Sequence, residues 1–145
     1  MLETIRELLR THDMCVLATT AGDQPHCSLM AYVCDHAARH VYMVTFRDSV
    51  KFRNLSQNPA VSLLVDTRET HGKTRRGETR ALTASGVYEP LSKPVERAEV
   101  TSRLLAAHPH LEVFLQSDAA EIIAVRLTSF LLMDGLTDAT FHELP

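Results

Sequence analysis

Tyr42-Met-Val-Thr-Phe-Arg-Asp-Ser-Val-Lys-Phe-Arg-Asn-Leu-Ser-Gln-Asn-Pro59, followed by the apolar run Ala60–Val65, is the stretch that decides the fold. Aromatic and β-branched residues up to Thr45 predict a buried strand. A tight turn follows, in which Asp48 or Ser49 can cap a helix. Pro59 disfavours helical geometry at Asn58, so that helix is short and ends there. Ala60–Asp66 then predicts another strand. Thr45, Ser49 and Lys51 gather hydroxyls, unpaired backbone N–H groups and a cation at one helix start, which suits a phosphate. An ordinary capped surface helix with solvated Lys and Arg would read the same way, and local chemistry leaves both open.

The flanks continue the β pattern. Cys15–Thr20 is a short apolar, β-branched run, and Ala21-Gly-Asp-Gln24 has hairpin-turn chemistry. From Pro25 the residues alternate, with Cys27, Leu29, Ala31 and Val33 on one face and His26, Ser28, Met30 and Tyr32 on the other. Asp35–His40 predicts a turn and Val41–Thr45 a strand. Downstream, Thr67–Thr79 reads as a long polar surface loop. Arg80–Tyr88 resumes strand character, with Gly86 marking a bulge or a close backbone approach. Pro94 suits the first turn of a helix running to about His108, and Leu111, Phe114 and Leu115 add a further turn or two. Ile122–Leu127 and Phe130–Met133 predict two late strands joined by a bend or bulge at Thr128-Ser129. Leu2, Ile5, Leu8 and Leu9 give the chain an amphipathic opening helix. Short strands joined by turns, with helices as crossovers, predict a mainly β, antiparallel barrel with peripheral helices. Neither common nucleotide fingerprint, G-x-G-x-x-G or G-x-x-x-x-G-K-[ST], occurs.

Composition narrows the classes. The 145 residues, 45% hydrophobic, fit one globular domain over 1–145. A net charge of −3 gives no reason to expect nucleic acid or an acidic membrane surface as partner. The one basic cluster, Lys73-Thr-Arg-Arg76, lies in the predicted loop and is expected to be solvated. Charges interrupt the leucines of Met1–Thr11, so no secretion signal is expected, and no run approaches the roughly 18 apolar residues of a membrane helix. A cytoplasmic protein is the expectation, with Cys15, Cys27 and Cys34 reduced and packed as small buried hydrophobes rather than forming a redox relay. Phe52 and Leu55 are expected in the core. His26 reads as a strand-end residue exposed to solvent, with proton donation beside a cofactor as the alternative. His108-Pro-His110 reads as a helix break, and no metal site is expected.

The order and spacing of Thr45, Ser49, Lys51 and Asn58-Pro59 resemble the FMN-binding split barrels related to pyridoxamine 5′-phosphate oxidase. Leu17-Ala-Thr-Thr20, Pro25-His-Cys-Ser28, Thr83-Ala-Ser-Gly86, Asp66-Thr-Arg68 and His108-Pro-His-Leu111 extend the similarity from about Cys15 to Gly135. The resemblance implies that Lys51 and Ser49 hold the FMN phosphate. Thr45 and the backbone of Met43, Val44, Thr45 and Phe46 would face the ribityl chain or flavin ring, and Ser28 would border the ring. Arg68 would reach the phosphate or a second subunit, or else pair with Asp66. It also implies a homodimer with FMN at the subunit interface, and an oxidoreductase whose substrate is not given. Two departures set the chain apart from the vitamin oxidases themselves. Val50 stands where they carry Arg, and the chain ends Thr140-Phe-His-Glu-Leu-Pro145, without their Arg- and Trp-rich segment. An FMN-holding electron carrier and a haem-binding split barrel, with His142 as a candidate ligand, are the alternatives.

Overall fold

The computed structural model describes all 145 residues. Its centre is one curled antiparallel sheet with strands β1 (Met14–Ala21), β2 (Gln24–Ala31), β3 (Val33–Cys34), β4 (His40–Phe46), β5 (Ala60–Asp66), β6 (Arg80–Tyr88), β7 (Ala120–Asp134) and β8 (Asp138–Glu143). The order across the sheet is β2-β1-β5-β6-β7-β4-β3, and β8 pairs with β7. The helices are peripheral: α1 (Leu2–Thr11), α2 (Val50–Gln57), α3 (Arg68–His71), α4 (Pro94–Ala107) and α5 (Glu112–Leu115). This is the expected split-barrel architecture.

Alternation along the strands fills the interior. Cys15 and Leu17 of β1, Leu63 and Val65 of β5, Leu82 and Ala84 of β6, and Phe130 and Leu132 of β7 join one buried core with Ile5, Leu8 and Leu9 of α1. Residues paired across an antiparallel ladder share a face. A second, smaller cluster lies on the other face of β4 and β7, where Val44 and Ile122 meet Val100 and Leu104 of α4.

Local chemistry explains the joints. Gly22 takes the positive φ (59°) that a two-residue hairpin loop demands between Ala21 and Gln24. At Gly86 a Cβ would stand 2.5 Å from Val125 Cγ1 and 2.7 Å from the Arg126 carbonyl oxygen, so only glycine fits. The β6–β7 register shifts there, with Ser85 opposite Ser129 and Gly86 opposite Leu127. Thr128 is the extra residue, and its hydroxyl donates to Ser85 O at 3.2 Å. The two late strands expected from the sequence are therefore one strand carrying a bulge.

Other expectations need correction. The alternating run from Pro25 to Val33 is not one strand. Tyr32 interrupts it: its N–H still donates to Asp13 O in the β1–β2 register, its hydroxyl donates to Leu9 O (2.7 Å), and β3 then pairs with β4 instead of β1. Thr67–Thr79 is not structureless, because it holds α3 and a 3₁₀ turn at Arg76–Glu78. Thr67 anchors it: its hydroxyl accepts from Arg80 N–H at 2.9 Å and lies 2.7 Å from His71 Nδ1. The polar C-terminal sequence forms a further strand, β8, which its composition does not predict. Cys15 is buried, but Cys27 is exposed on the outer face of β2 and Cys34 is half-buried. Leu55 is in the core, whereas Phe52 is half-buried, meeting Tyr88 edge-on.

Candidate functional site

The helix start behaves as its residue types require. Ser49, not Asp48, is the N-cap of α2, and its Oγ accepts from Phe52 N–H at 3.2 Å. Thr45, 2% exposed at the end of β4, donates its hydroxyl to the same Ser49 Oγ at 2.9 Å. Both lone pairs of that oxygen are then engaged, and only its proton remains to be given. Lys51 Nζ reaches Thr45 Oγ1 at a long 3.4 Å, so its other protons are free. Val50 and Lys51 are the first two residues of the helix, where backbone N–H groups have no acceptor within the helix. No acidic residue stands in that first turn. The first turn offers donors and a cation, and Asp48, just before the cap, is exposed and does not line the neighbouring cleft, which is the chemistry of an anion site. Asn54 fixes the helix against β1 through a buried bond from Nδ2 to Thr19 Oγ1 at 3.1 Å.

Beside this corner lies a cleft of about 280 Å³. Thr45 and Val44 of β4, Lys51 of α2, and Met14, Leu29, Met30 and Ala31 of β1 and β2 form part of its wall. His110, Leu111 and Phe114 form the rest. β3 pairs with β4 only at Val41 and Tyr42, so the edge of Met43–Phe46 away from β7 has no strand partner. Phe114 stacks on Phe46 with ring centroids 3.9 Å apart and an interplanar angle of 12°. The lining is apolar apart from Thr45, Lys51 and His110, and it contains no acid. Such a cleft suits a flat apolar body bearing an anionic group. Its volume falls just short of the roughly 300–1,000 Å³ usual for small-molecule sites.

The structure thus brings Thr45, Ser49 and Lys51 together and sets beside them the strand-free edge of Met43–Phe46, where the Phe46 carbonyl accepts from Ser49 N–H at 3.0 Å. The Met43 side chain itself is buried in the main core. Ser28 is half-buried on the inner face of β2 opposite Leu17 and does not line the cleft, although Leu29, Met30 and Ala31 next to it do. Arg68 is also apart, pairing with Asp66 at 3.2 Å in a separate cleft that shares Met14 and Leu29. Arg47 turns away from the corner to Glu121 Oε1 at 2.9 Å and Asp118 O at 3.0 Å. The residues missed by sequence reasoning are those of the Pro109–Leu115 segment. The spacing of Leu111, Phe114 and Leu115 signals a packed face, but not that the face is Val44 and Ile122 beside Lys51.

No other group competes for the role. Burial pushes the Cys15 thiol up to about 12, and its Sγ sits 3.9 Å from Met43 Sδ, so it packs as a neutral thiol. No three His, Cys, Asp or Glu side chains come together as metal ligands would. A larger cleft of about 880 Å³, between α1 and the Thr67–Thr79 segment, has Leu8 as its one apolar lining residue. Its Glu3, Glu78 and Asp134 are already paired with Arg10, Arg75 and Arg80. It offers no wall for a flat apolar body. No helix is long and apolar enough to cross a membrane.

The family model described as pyridoxamine 5′-phosphate oxidase matches residues 1–129. No curated protein matches the sequence. Among solved structures, the chain is similar to a haem-binding protein of Mycobacterium smegmatis (TM-score 0.81, 17% identity, 95% of this chain and 57% of that one). It is similar to an FAD-binding protein of Mesorhizobium loti (0.71, 18%, 90% and 91%). It is likewise similar to HutZ, the haem storage protein of Vibrio cholerae (0.68, 19%, 95% and 92%). The chain spans little more than half of the first of these, and at such identities the likeness is one of fold.

Proposed function

Because the chain belongs to the pyridoxamine 5′-phosphate oxidase family, we propose that its cleft holds FMN between two copies of the chain and that the protein is a flavin-dependent oxidoreductase. The observation that carries this reading is the donor set at the start of α2. Ser49 Oγ–H, Lys51 Nζ and the Val50 and Lys51 N–H groups converge with no acceptor among them. That is the complement of a phosphate monoester. The Val44 backbone, on the strand-free edge of β4, can hydrogen-bond the rest of the cofactor, and Val44, Met30, Leu111 and Phe114 supply apolar walls.

When bound, the flavin would supply the electron chemistry. The chain's own residues bind and orient it. Thr45 fixes the Ser49 hydroxyl so that its proton faces the anion, and Asn54 holds the helix start in place. The apolar walls keep water from one side of the cleft.

A second copy is part of the proposal because the cleft, at about 280 Å³, is small and its neighbouring surface is apolar. Leu29, Val16, Leu64, Thr83, Leu131 and Phe141 are paired in turn across six strands and so form one row on the outer face of the sheet. Leu29, Leu131 and Phe141 are 69, 38 and 60% exposed. A row of that kind, ending beside the cleft at Leu29, fits a self-complementary barrel-to-barrel contact that would add the missing wall.

Haem is the competing reading, and His110 favours it as the one imidazole lining the cleft. His142, the other candidate ligand, is not among the residues lining this cleft. It sits on β8 opposite Phe130, and its Nε2 is buried without a partner. The test is the visible spectrum of purified protein with the released cofactor identified by mass. FMN supports the proposal, and a haem Soret band overturns it.

A further inference from the structure

Resting on the flavin reading above, we infer that His110 is a ligand-positioning residue, donating a hydrogen bond to the polar edge of the bound ring system rather than to its phosphate. Of the ten residues lining the cleft, only Thr45, Lys51 and His110 are polar. The Thr45 hydroxyl is committed to Ser49 and Lys51. The phosphate already has the Ser49, Lys51 and backbone donors. Along the apolar walls, a ring with carbonyl and ring-nitrogen acceptors finds one side-chain donor, the imidazole of His110.

The segment carrying this ring is held on both sides. His108, 3% exposed, has its Nε2 2.9 Å from Tyr32 O, and its backbone carbonyl accepts from Leu111 N–H at 2.9 Å. Four residues beyond His110, Phe114 is stacked on Phe46. Leu111, Phe114 and Leu115 pack on Val44 and Ile122. His110 itself is exposed and meets the His108 ring edge-on, with centroids 5.8 Å apart. The fold thus spends its anchors on the neighbours and presents this imidazole at the cleft. Its role is to select a planar heteroaromatic ligand with acceptors on its edge.

Titration of His110→Ala and His110→Gln with FMN and with riboflavin, which lacks the phosphate, tests this. His110→Ala should weaken both ligands about fivefold, the worth of one neutral hydrogen bond. His110→Gln, which keeps a donor, should restore most of the loss. The absorption band of the bound flavin should shift in the alanine variant and return in the glutamine variant. Loss for FMN alone would put the contact on the phosphate and overturn the inference, as would unchanged affinity for both ligands. If wild-type protein binds neither flavin, the underlying reading fails instead, which the wild-type titration shows by itself.

Discussion

Replacing Ser49 with Ala removes one oxygen that serves two donors. In the ligand-free protein, Ser49 Oγ accepts from Phe52 N–H and from the Thr45 hydroxyl. Losing an N-cap costs about 1 kcal/mol. Leaving a buried hydroxyl without its acceptor costs a further ~1–3 kcal/mol, reduced here because Thr45 can turn toward its own backbone. A total of about 2 kcal/mol is expected, which for a chain of this size lowers Tm by roughly 5–8 °C. Lys51→Ala provides the contrast. Its single bond is long and its side chain half-exposed, so stability should change by less than about 0.5 kcal/mol. FMN affinity should nevertheless fall roughly tenfold to a hundredfold in Lys51→Ala, through loss of a charge-assisted contact. Urea unfolding of the ligand-free variants and fluorescence titration with FMN measure the two effects separately. Ser49→Thr, which keeps the capping hydroxyl, should keep the stability that Ser49→Ala loses. Full stability in Ser49→Ala, or equal destabilisation in Lys51→Ala, would refute the assigned geometry.

Gly86→Ala should destabilise by ~2–3 kcal/mol, because its Cβ meets a backbone carbonyl in the middle of β7 that cannot swing aside. An unchanged urea midpoint would show that the bulge is not as tight as it stands here. Leu29→Asp puts a charge in the apolar row and should convert a dimer to a monomer by sedimentation, with loss of FMN affinity. A dimer of wild-type strength in that variant would exclude this face. Cys27 lies on the same outer face, so native wild-type protein should protect it from alkylation and Leu29→Asp should expose it. Equal labelling in both would place the contact elsewhere.

Most of the fold was legible because its signals are local. Ser49 and Pro59 bracket α2, Gly22 marks the hairpin, and Gly86 announces the bulge; each acts on its own neighbours. What stayed hidden depends on distant partners. Tyr32 carries a strand-like pattern, and its partners at the break between β2 and β3 include Leu9 of α1 and His108, both far away in sequence. β8 pairs along one edge with β7, so its polar alternating sequence had no burial to betray it. The candidate site divides the same way. Thr45, Ser49 and Lys51 lie within seven residues and were found from their types and spacing. His110 and Phe114 reach the cleft from sixty residues away through packing on Val44 and Phe46, which no local pattern records. Cys27 is exposed where the sequence suggests burial, because strand alternation shows two faces but not which of them looks inward.

Direct titration of the purified, ligand-stripped protein with FMN, followed by flavin fluorescence, bears most closely on the central claim. Saturation at one FMN per chain, weakened by Lys51→Ala and Ser49→Ala and left intact by Arg47→Ala, is the predicted result. No binding at excess FMN, with a Soret band on adding haem instead, would contradict it.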